Sequence, residues 1–395
     1  MKHYRHILII LFIISCPILS FAKFFRNIDV PNGLSQTSVM AIYQDKLERM
    51  WFGTREGISV YDGQKIINYK PWAYHGIGDG GVQKFWVGNQ VNNIIGNKEG
   101  DIFILADGNL VKYNLYSDHF KKIHNGHTEC ITIDQNDKLW CMCSDSLFTY
   151  EKGSNSMKFF QKTGIDGTFC FMKKNNILWM GTDHGLYKIN YDTKHVEPML
   201  KGLDIRGLFE SSTGEIWVGT MDSGLFRIKG INVKEVPYDI KSPLKTSSKD
   251  VRCFIEDKYH NIWMGTFNGL QMFNPTTKEY TLYTQSWLKG GLRHGSIFSL
   301  CLDRQGTLWT GTYYGGVNYF HLDNENFKYY SYNPDRTDCI TYPLVGQMTE
   351  DNDGNLWICL DGGGLAKLNR QTDKITTYKA QKGGLPYNNL KTICY

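Results

Sequence analysis

Beyond its N-terminal two dozen residues, the 395-residue sequence has no apolar run approaching the roughly 20 residues that a membrane-spanning helix needs. No later segment carries a 3.6-residue apolar period long enough for an amphipathic helix, which leaves strands and turns to build the fold. Runs of Lys or Arg are also missing, and a formal net charge of +5 spread over this length gives little support for nucleic-acid binding. Gly-x-Ser-x-Gly, His-Glu-x-x-His and a glycine-rich phosphate loop are absent, so the common hydrolase, zinc-protease and nucleotide-site signatures do not apply. Cys141-x-Cys143 lacks both C-x-x-C spacing and a nearby histidine pair. No metal and no cofactor are expected.

What the sequence does contain is one tryptophan-centred phrase, repeated. It reads Met50-Trp51-Phe52-Gly53-Thr54, Leu139-Trp140-Cys141, Leu178-Trp179-Met180-Gly181-Thr182, Ile216-Trp217-Val218-Gly219-Thr220, Ile262-Trp263-Met264-Gly265-Thr266, Leu308-Trp309-Thr310-Gly311-Thr312 and Leu356-Trp357-Ile358-Cys359. Ile102-Phe103-Ile104 is a degenerate copy with Phe103 in the Trp slot. The spacings of 52, 37, 39, 38, 46, 46 and 48 residues give a period of about 40 to 50, typical of stacked or radial repeats. Each repeat holds four short segments rich in β-branched and aromatic residues, bounded by Gly, Asn or Asp, which is a strand-and-turn pattern. Asp45, Asp134, Asp257, Asp303, Asp351 and Asp353 lie in the first-to-second-strand turns, where capping of backbone amides accounts for them. Four-stranded units at this period close radially, each covering its neighbour's apolar face. The expected fold class is all-β, a propeller of four-stranded antiparallel blades. The periodic tryptophans are packing residues in such a fold, not ligand contacts.

The repeat, a strand ending in Asp, a Gly/Asn turn, Leu-Trp-Ile-Gly-Thr and then Gly-Leu, resembles the two-component regulator propeller repeat. Phe25 to Val39, followed by Tyr61-Asp62-Gly63, is similar to that family's first repeat. The resemblance implies the periplasmic sensor of a hybrid two-component system. It further implies two successive seven-bladed propellers followed by a membrane helix, a histidine kinase and regulatory domains in the full-length protein. On that analogy residues 23–335 form a first propeller of repeats one to seven, closed by an outer strand near Phe24 to Asp29. Residues 336–395 then hold repeat eight and the first strand of a ninth, the start of a second propeller. A single eight-bladed ring is the alternative.

Residues 1–22 combine a basic start, an apolar run from Ile7 to Ile14 and Ser20-Phe21-Ala22, the pattern of a cleaved secretory signal. Cys16 also sits in a loose lipoprotein acylation box, a second route to the membrane, and an uncleaved anchor is a third. Removing Cys16 leaves nine of the ten cysteines, several at strand positions that suit buried free thiols.

In a propeller the fourth-to-first-strand loops and the second-to-third-strand turns emerge on one face. The longest such loop, about residues 70–92, carries Trp72, Tyr74, His75 and Trp86; others carry Trp287, Arg293 and His294, and one turn adds Tyr313 and Tyr314. Rings of this kind stack on sugar faces, so these residues form a candidate oligosaccharide site. Arg206 and Arg252, on adjacent repeats, suit an acidic sugar, with pairing to Asp204 and Asp250 as the structural alternative. The resulting expectation is a sensor propeller rather than an enzyme, with no nucleic acid bound and homodimerisation left open in the full-length protein. A propeller lyase or glycosidase using His75 and His294, or a protein-interaction scaffold, are the competing functions.

Overall fold

The structure is a computed structural model that describes residues 23–70, 88–151, 156–174, 176–190, 192–193, 195–229, 232–236, 246–287, 290–323, 330, 332 and 339–395. Residues 1–22, and with them the secretory and acylation signals, fall outside the described residues, as do Trp72, Tyr74, His75 and Trp86. The described residues form eight four-stranded antiparallel sheets, and one 3-10 turn at Val30–Asn32 is the only helical element among them. The all-β propeller expected from the repeats is the fold.

The chain divides into two compact units, one ending at Leu322 and the other starting at Asp323. The first holds seven blades, numbered here by their first strands: Val39–Gln44, Val91–Gly96, Cys130–Ile133, Thr168–Lys174, Ile205–Glu210, Val251–Glu256 and Ile297–Leu302. These strands pack against one another in sequence order, and the seventh packs against the first, so they line the axis of a closed ring. Arg26–Ile28 pairs antiparallel with Val317–His321 and supplies the fourth strand of blade 7. The unit therefore ends soon after that blade's third strand, short of residue 335. The second unit holds the eighth sheet, Val345–Glu350, Leu356–Leu360, Gly364–Asn369 and Lys374–Tyr378, over a small core of Ile340, Ile358, Leu360, Ala366 and Leu368. Residues 385–395, expected as a ninth first strand, form no strand. Lys391 instead accepts one hydrogen bond from the Gln347 amide.

Every residue of the repeated phrase has a physical task. The Asp at the end of the first strand uses one oxygen for the turn and the other for the indole. In blade 6, Asp257 Oδ1 accepts from the amides of Tyr259 and Asn261, while Oδ2 accepts from Trp263 Nε1 at 2.8 Å. The same 2.8 Å bond joins Asp45 to Trp51, Asp134 to Trp140, Asp303 to Trp309 and Asp351 to Trp357. Burial works against the Asp351 charge, yet the indole of Trp357, the donors of Asn355 and the charge of Lys367 prevail and bring its pKa to about 2. Blade 2 has Phe103 in place of Trp and correspondingly Asn97 in place of Asp, whose Oδ1 still accepts from the Asp101 amide.

The Gly that follows is where the next blade comes closest. A Cβ on Gly53 would stand 2.7 Å from Val91 Cγ1, and one on Gly265 would stand 2.7 Å from Ile297 Cγ2. The Thr then closes the second-to-third-strand turn: Thr54, Thr182, Thr220, Thr266 and Thr312 each donate to a Gly carbonyl three or four residues on.

Blade 5 breaks the Asp rule with Ser211, and both Trp217 Nε1 and Arg227 Nε are buried without a hydrogen-bond partner. Ser211→Asp would give acceptors to both, as Asp45 does for Trp51 and Arg49 in blade 1. Chemical denaturation should show a gain of about 1 kcal/mol over the parent chain. In blade 6, Asp257→Ala strands a buried indole and two turn amides and should cost about 3 kcal/mol. Asp257→Asn, which keeps one acceptor, should fall between it and the parent; equal stability of the parent and the Ala variant would show that the bond contributes nothing.

Candidate functional site

The first strands begin at the face where the second-to-third-strand turns emerge, and six of the seven are bulged there. The ladder skips Met40, Asn92, Phe169, Arg206, Arg252 and Phe298, each the second residue of its strand. A bulge frees a residue from the alternation of the strand and re-aims it, and such bulges favour sheet ends and sites. Beside these positions stand the turn residues that follow the motif Thr: Arg55, Asp183, Met221, Phe267 and Tyr313.

On blades 6, 7 and 1 these two sets meet in one arc. Arg252 has its guanidinium 4.3 Å from the Phe298 ring centroid and 5.5 Å from that of Phe267, and it donates to Ser296 Oγ at 2.8 Å. Phe298 lies 5.5 Å from Tyr313, and Tyr313 lies 4.1 Å from Tyr314 at a steep interplanar angle. His294 sits 5.9 Å from Tyr314, with Nδ1 accepting from the Ser296 amide, so its proton is on Nε2 when neutral. Arg55, from the neighbouring blade, donates to the Tyr313 hydroxyl at 3.1 Å, its guanidinium 4.7 Å from that ring's centroid. A hollow of about 440 Å³ opens in this arc, lined by Phe267, Asn268, Leu282, Gln285, His294 and Ser296. Phe267 and Tyr314 expose more than half their surface.

The charges of the arc are unevenly compensated. Asp250 holds Arg252 through both carboxylate oxygens, and Asp204 holds Arg206 at 2.7 Å, so the cations expected at the mouth are paired as the structural alternative required. Arg55 differs. It makes no ion pair among the described residues, its Nε is buried with no partner, and the adjacent Glu56 lies toward Lys70 instead. Arg293 is half-buried next to the Tyr314 turn. Trp287 is 79% exposed and joins none of these ring contacts. Thus Arg252, His294, Tyr313 and Tyr314 are brought together, Arg206 lies two blades away from blade 7, and Trp287 stands apart. Sequence reading missed Arg55, Phe267 and Phe298. Aligning the repeats would have found them, because Arg55 and Phe267 share the turn slot of Tyr313, and Phe298 shares the strand slot of Arg252.

The two-component regulator propeller family model matches residues 33–56, 246–268 and 291–314. These three segments are two-component regulator propeller repeats. The three matched segments contain Arg55, Arg252, Phe267, His294, Phe298, Tyr313 and Tyr314, the whole of the arc. The propeller is 40% identical over 88 residues to histidine kinase P4 of Formosa agariphila, a match covering 20% of this chain and 6% of that protein. Its fold is that of the extracellular domain of the hybrid two component system BT3049 from B. thetaiotaomicron, with a TM-score of 0.72 at 20% identity, covering 93% of this chain and 50% of that one. It also shares the fold of virginiamycin B lyase from Staphylococcus aureus, with a TM-score of 0.56 at 12% identity, over 75% of this chain and 99% of the lyase. The propeller chain thus spans about half of the extracellular domain it matches and a small fraction of the kinase.

The Tyr313 hydroxyl has a lowered pKa, because Tyr314 hydrogen-bonds it and the Arg55 cation lies beside it, while Tyr314 moves up in response. An ultraviolet difference titration should therefore show one tyrosine ionising before the bulk. Tyr313→Phe should abolish that early phase and Arg55→Gln should shift it upward; an unchanged curve in both variants would separate these residues.

Proposed function

We propose that this chain is the extracytoplasmic sensor propeller of a hybrid two-component regulator, exported to the periplasm, and that it binds an oligosaccharide at the arc on blades 6, 7 and 1. One observation carries the reading: the exposed rings, the hollow and the Arg55 guanidinium, whose buried Nε has no partner, lie together on the three blades whose sequence matches the regulator family. Exposed Phe267 and Tyr314 offer planes for the C–H faces of sugars, and Asn268, Gln285, His294 and Ser296 offer donors and acceptors for hydroxyls. Arg55 favours a sugar that carries a carboxylate or sulfate, since a guanidinium meets such oxyanions with two parallel hydrogen bonds. The ligand would bias the position of the propeller in the longer protein, and a histidine kinase beyond it would carry the signal to transcription.

Calorimetric titration of the chain against neutral, uronate and sulfated oligosaccharides tests this. Saturable binding without product is expected, weakened about tenfold, or about 1.4 kcal/mol, by Tyr314→Ala or Phe267→Ala. Arg55→Gln should erase the preference for the acidic members. Chain cleavage during the titration would favour a propeller enzyme, and binding indifferent to all three substitutions would move the site elsewhere.

A further inference from the structure

Blade 3 departs from the repeated phrase at the slot where blades 1, 4, 5, 6 and 7 use Thr to close the turn. Its second strand, Leu139–Cys143, ends in Cys143 at that slot. The sulfur is half-buried on the same face as the arc, but across the ring from it, where the loop between blades 2 and 3 brings two histidines and a threonine. Three hydrogen-bonding groups converge on it. His124 Nε2 is 3.2 Å from Cys143 Sγ, Thr128 Oγ1 is 3.7 Å away and Cys141 Sγ is 4.0 Å away. His124 is itself held in place by an edge contact with Phe148, centroids 4.7 Å apart.

We propose that Cys143 is a reactive thiol, the modification site of this propeller, activated by His124 and reached by small disulfides and soft electrophiles. A thiolate at this position would accept from three donors: the imidazole N–H, the threonine hydroxyl and the Cys141 thiol. Burial and nearby Lys122 lower the His124 pKa, so the imidazole stands neutral with Nε2 in reach of the thiol proton, although these same causes weaken it as a base. The hydrogen bond from Cys141 lowers the Cys143 pKa, burial opposes this, Thr128 assists and the Glu129 carboxylate opposes. Cys141, fully buried and strongly raised, stays the protonated partner. With a low-molecular-weight disulfide, the Cys143 thiolate attacks one sulfur, forms a mixed disulfide and expels the other half as a thiolate, which takes up the proton left on His124. No net oxidant beyond that disulfide is needed. The other described cysteines give the contrast: Cys130, Cys170, Cys253, Cys301 and Cys359 all have raised pKa values, burial being the largest cause in each, Cys339 is buried, and Cys394 is exposed without such neighbours among the described residues.

The test is time-resolved labelling of the whole chain with iodoacetamide and, separately, with glutathione disulfide at neutral pH, read by peptide mass spectrometry. Cys143 should label about tenfold or more faster than Cys394, the order of gain that a stabilised thiolate brings. His124→Gln should bring it to or below the Cys394 rate, and Thr128→Val should slow it less. Circular dichroism of each variant separates a lost activator from a lost fold, and Thr128→Val, buried but isosteric, keeps the test open if His124→Gln does not fold. A Cys143 rate no greater than that of Cys394, or a fast rate that survives both substitutions in folded protein, overturns the proposal.

Discussion

The structure depends on one carboxylate used twice. In each of five sheets the Asp that ends the first strand binds turn amides with Oδ1 and the indole of the residue six positions on with Oδ2. The first contact fixes the hairpin register, and in the four such sheets of the first unit the second fixes the plane of a large ring that faces the neighbouring blade. Trp51 of blade 1 sits 4.8 Å from Tyr113 of blade 2, Trp263 of blade 6 sits 5.5 Å from Phe320 of blade 7, and Trp309 of blade 7 packs on Phe52 of blade 1. A bond local in sequence thereby determines a contact that is not. A blade cannot bury its apolar face alone, so the ring depends on these planes fitting their neighbours, and in blades 1, 3, 6 and 7 the Asp sets the plane.

That arrangement also explains where the site lies. The Asp turns occupy one end of the first strands and are committed to structure. The other end is bulged and free, and the turn beside it is closed by Thr and Gly, which leaves the two residues between them unconstrained by packing. Those turn residues vary among blades 1, 6 and 7, Arg55-Glu56, Phe267-Asn268 and Tyr313-Tyr314, while in these blades the flanking Thr and Gly do not. The fold thus separates a face that holds the ring from a face that can be rewritten blade by blade.

The fold was legible because the phrase is periodic and every member of it has a mechanical task; even the exception in blade 2 is consistent, since Phe103 needs no acceptor and Asn97 supplies none for an indole. The strands, the sheet class and the packing role of the tryptophans followed from that. The site was legible only in part. Tyr313, Tyr314, His294 and Arg252 stood out as unusual residues on the face where the candidate arc lies, but Arg206 and Arg252 are paired with acids two residues earlier in the chain. A single sequence lists charges without showing which are spent. Arg55 went unnoticed for the converse reason: it sits beside Glu56, an apparent partner, yet the turn sends that carboxylate toward Lys70, 3.8 Å away.

Compensation of charge is therefore the property that distinguishes the mouth's cations, and it bears on how a ligand would be felt. A paired guanidinium such as Arg252 gains little from an incoming anion, since the new contact must displace or share Asp250, and its stacking on Phe298 already fixes its plane. Arg55 has a buried Nε with no acceptor and only a neutral hydroxyl on Nη1, so the unliganded state carries an unmet hydrogen-bonding demand worth about 1 to 3 kcal/mol. An oxyanion that draws the guanidinium toward itself relieves that demand and at once changes the hydrogen bond to Tyr313, on the next blade. Under the proposed function, binding energy at this residue would thus be coupled to the contact between blades 1 and 7, the pair whose junction closes the ring, which is the coupling between occupancy and scaffold geometry that a sensor needs.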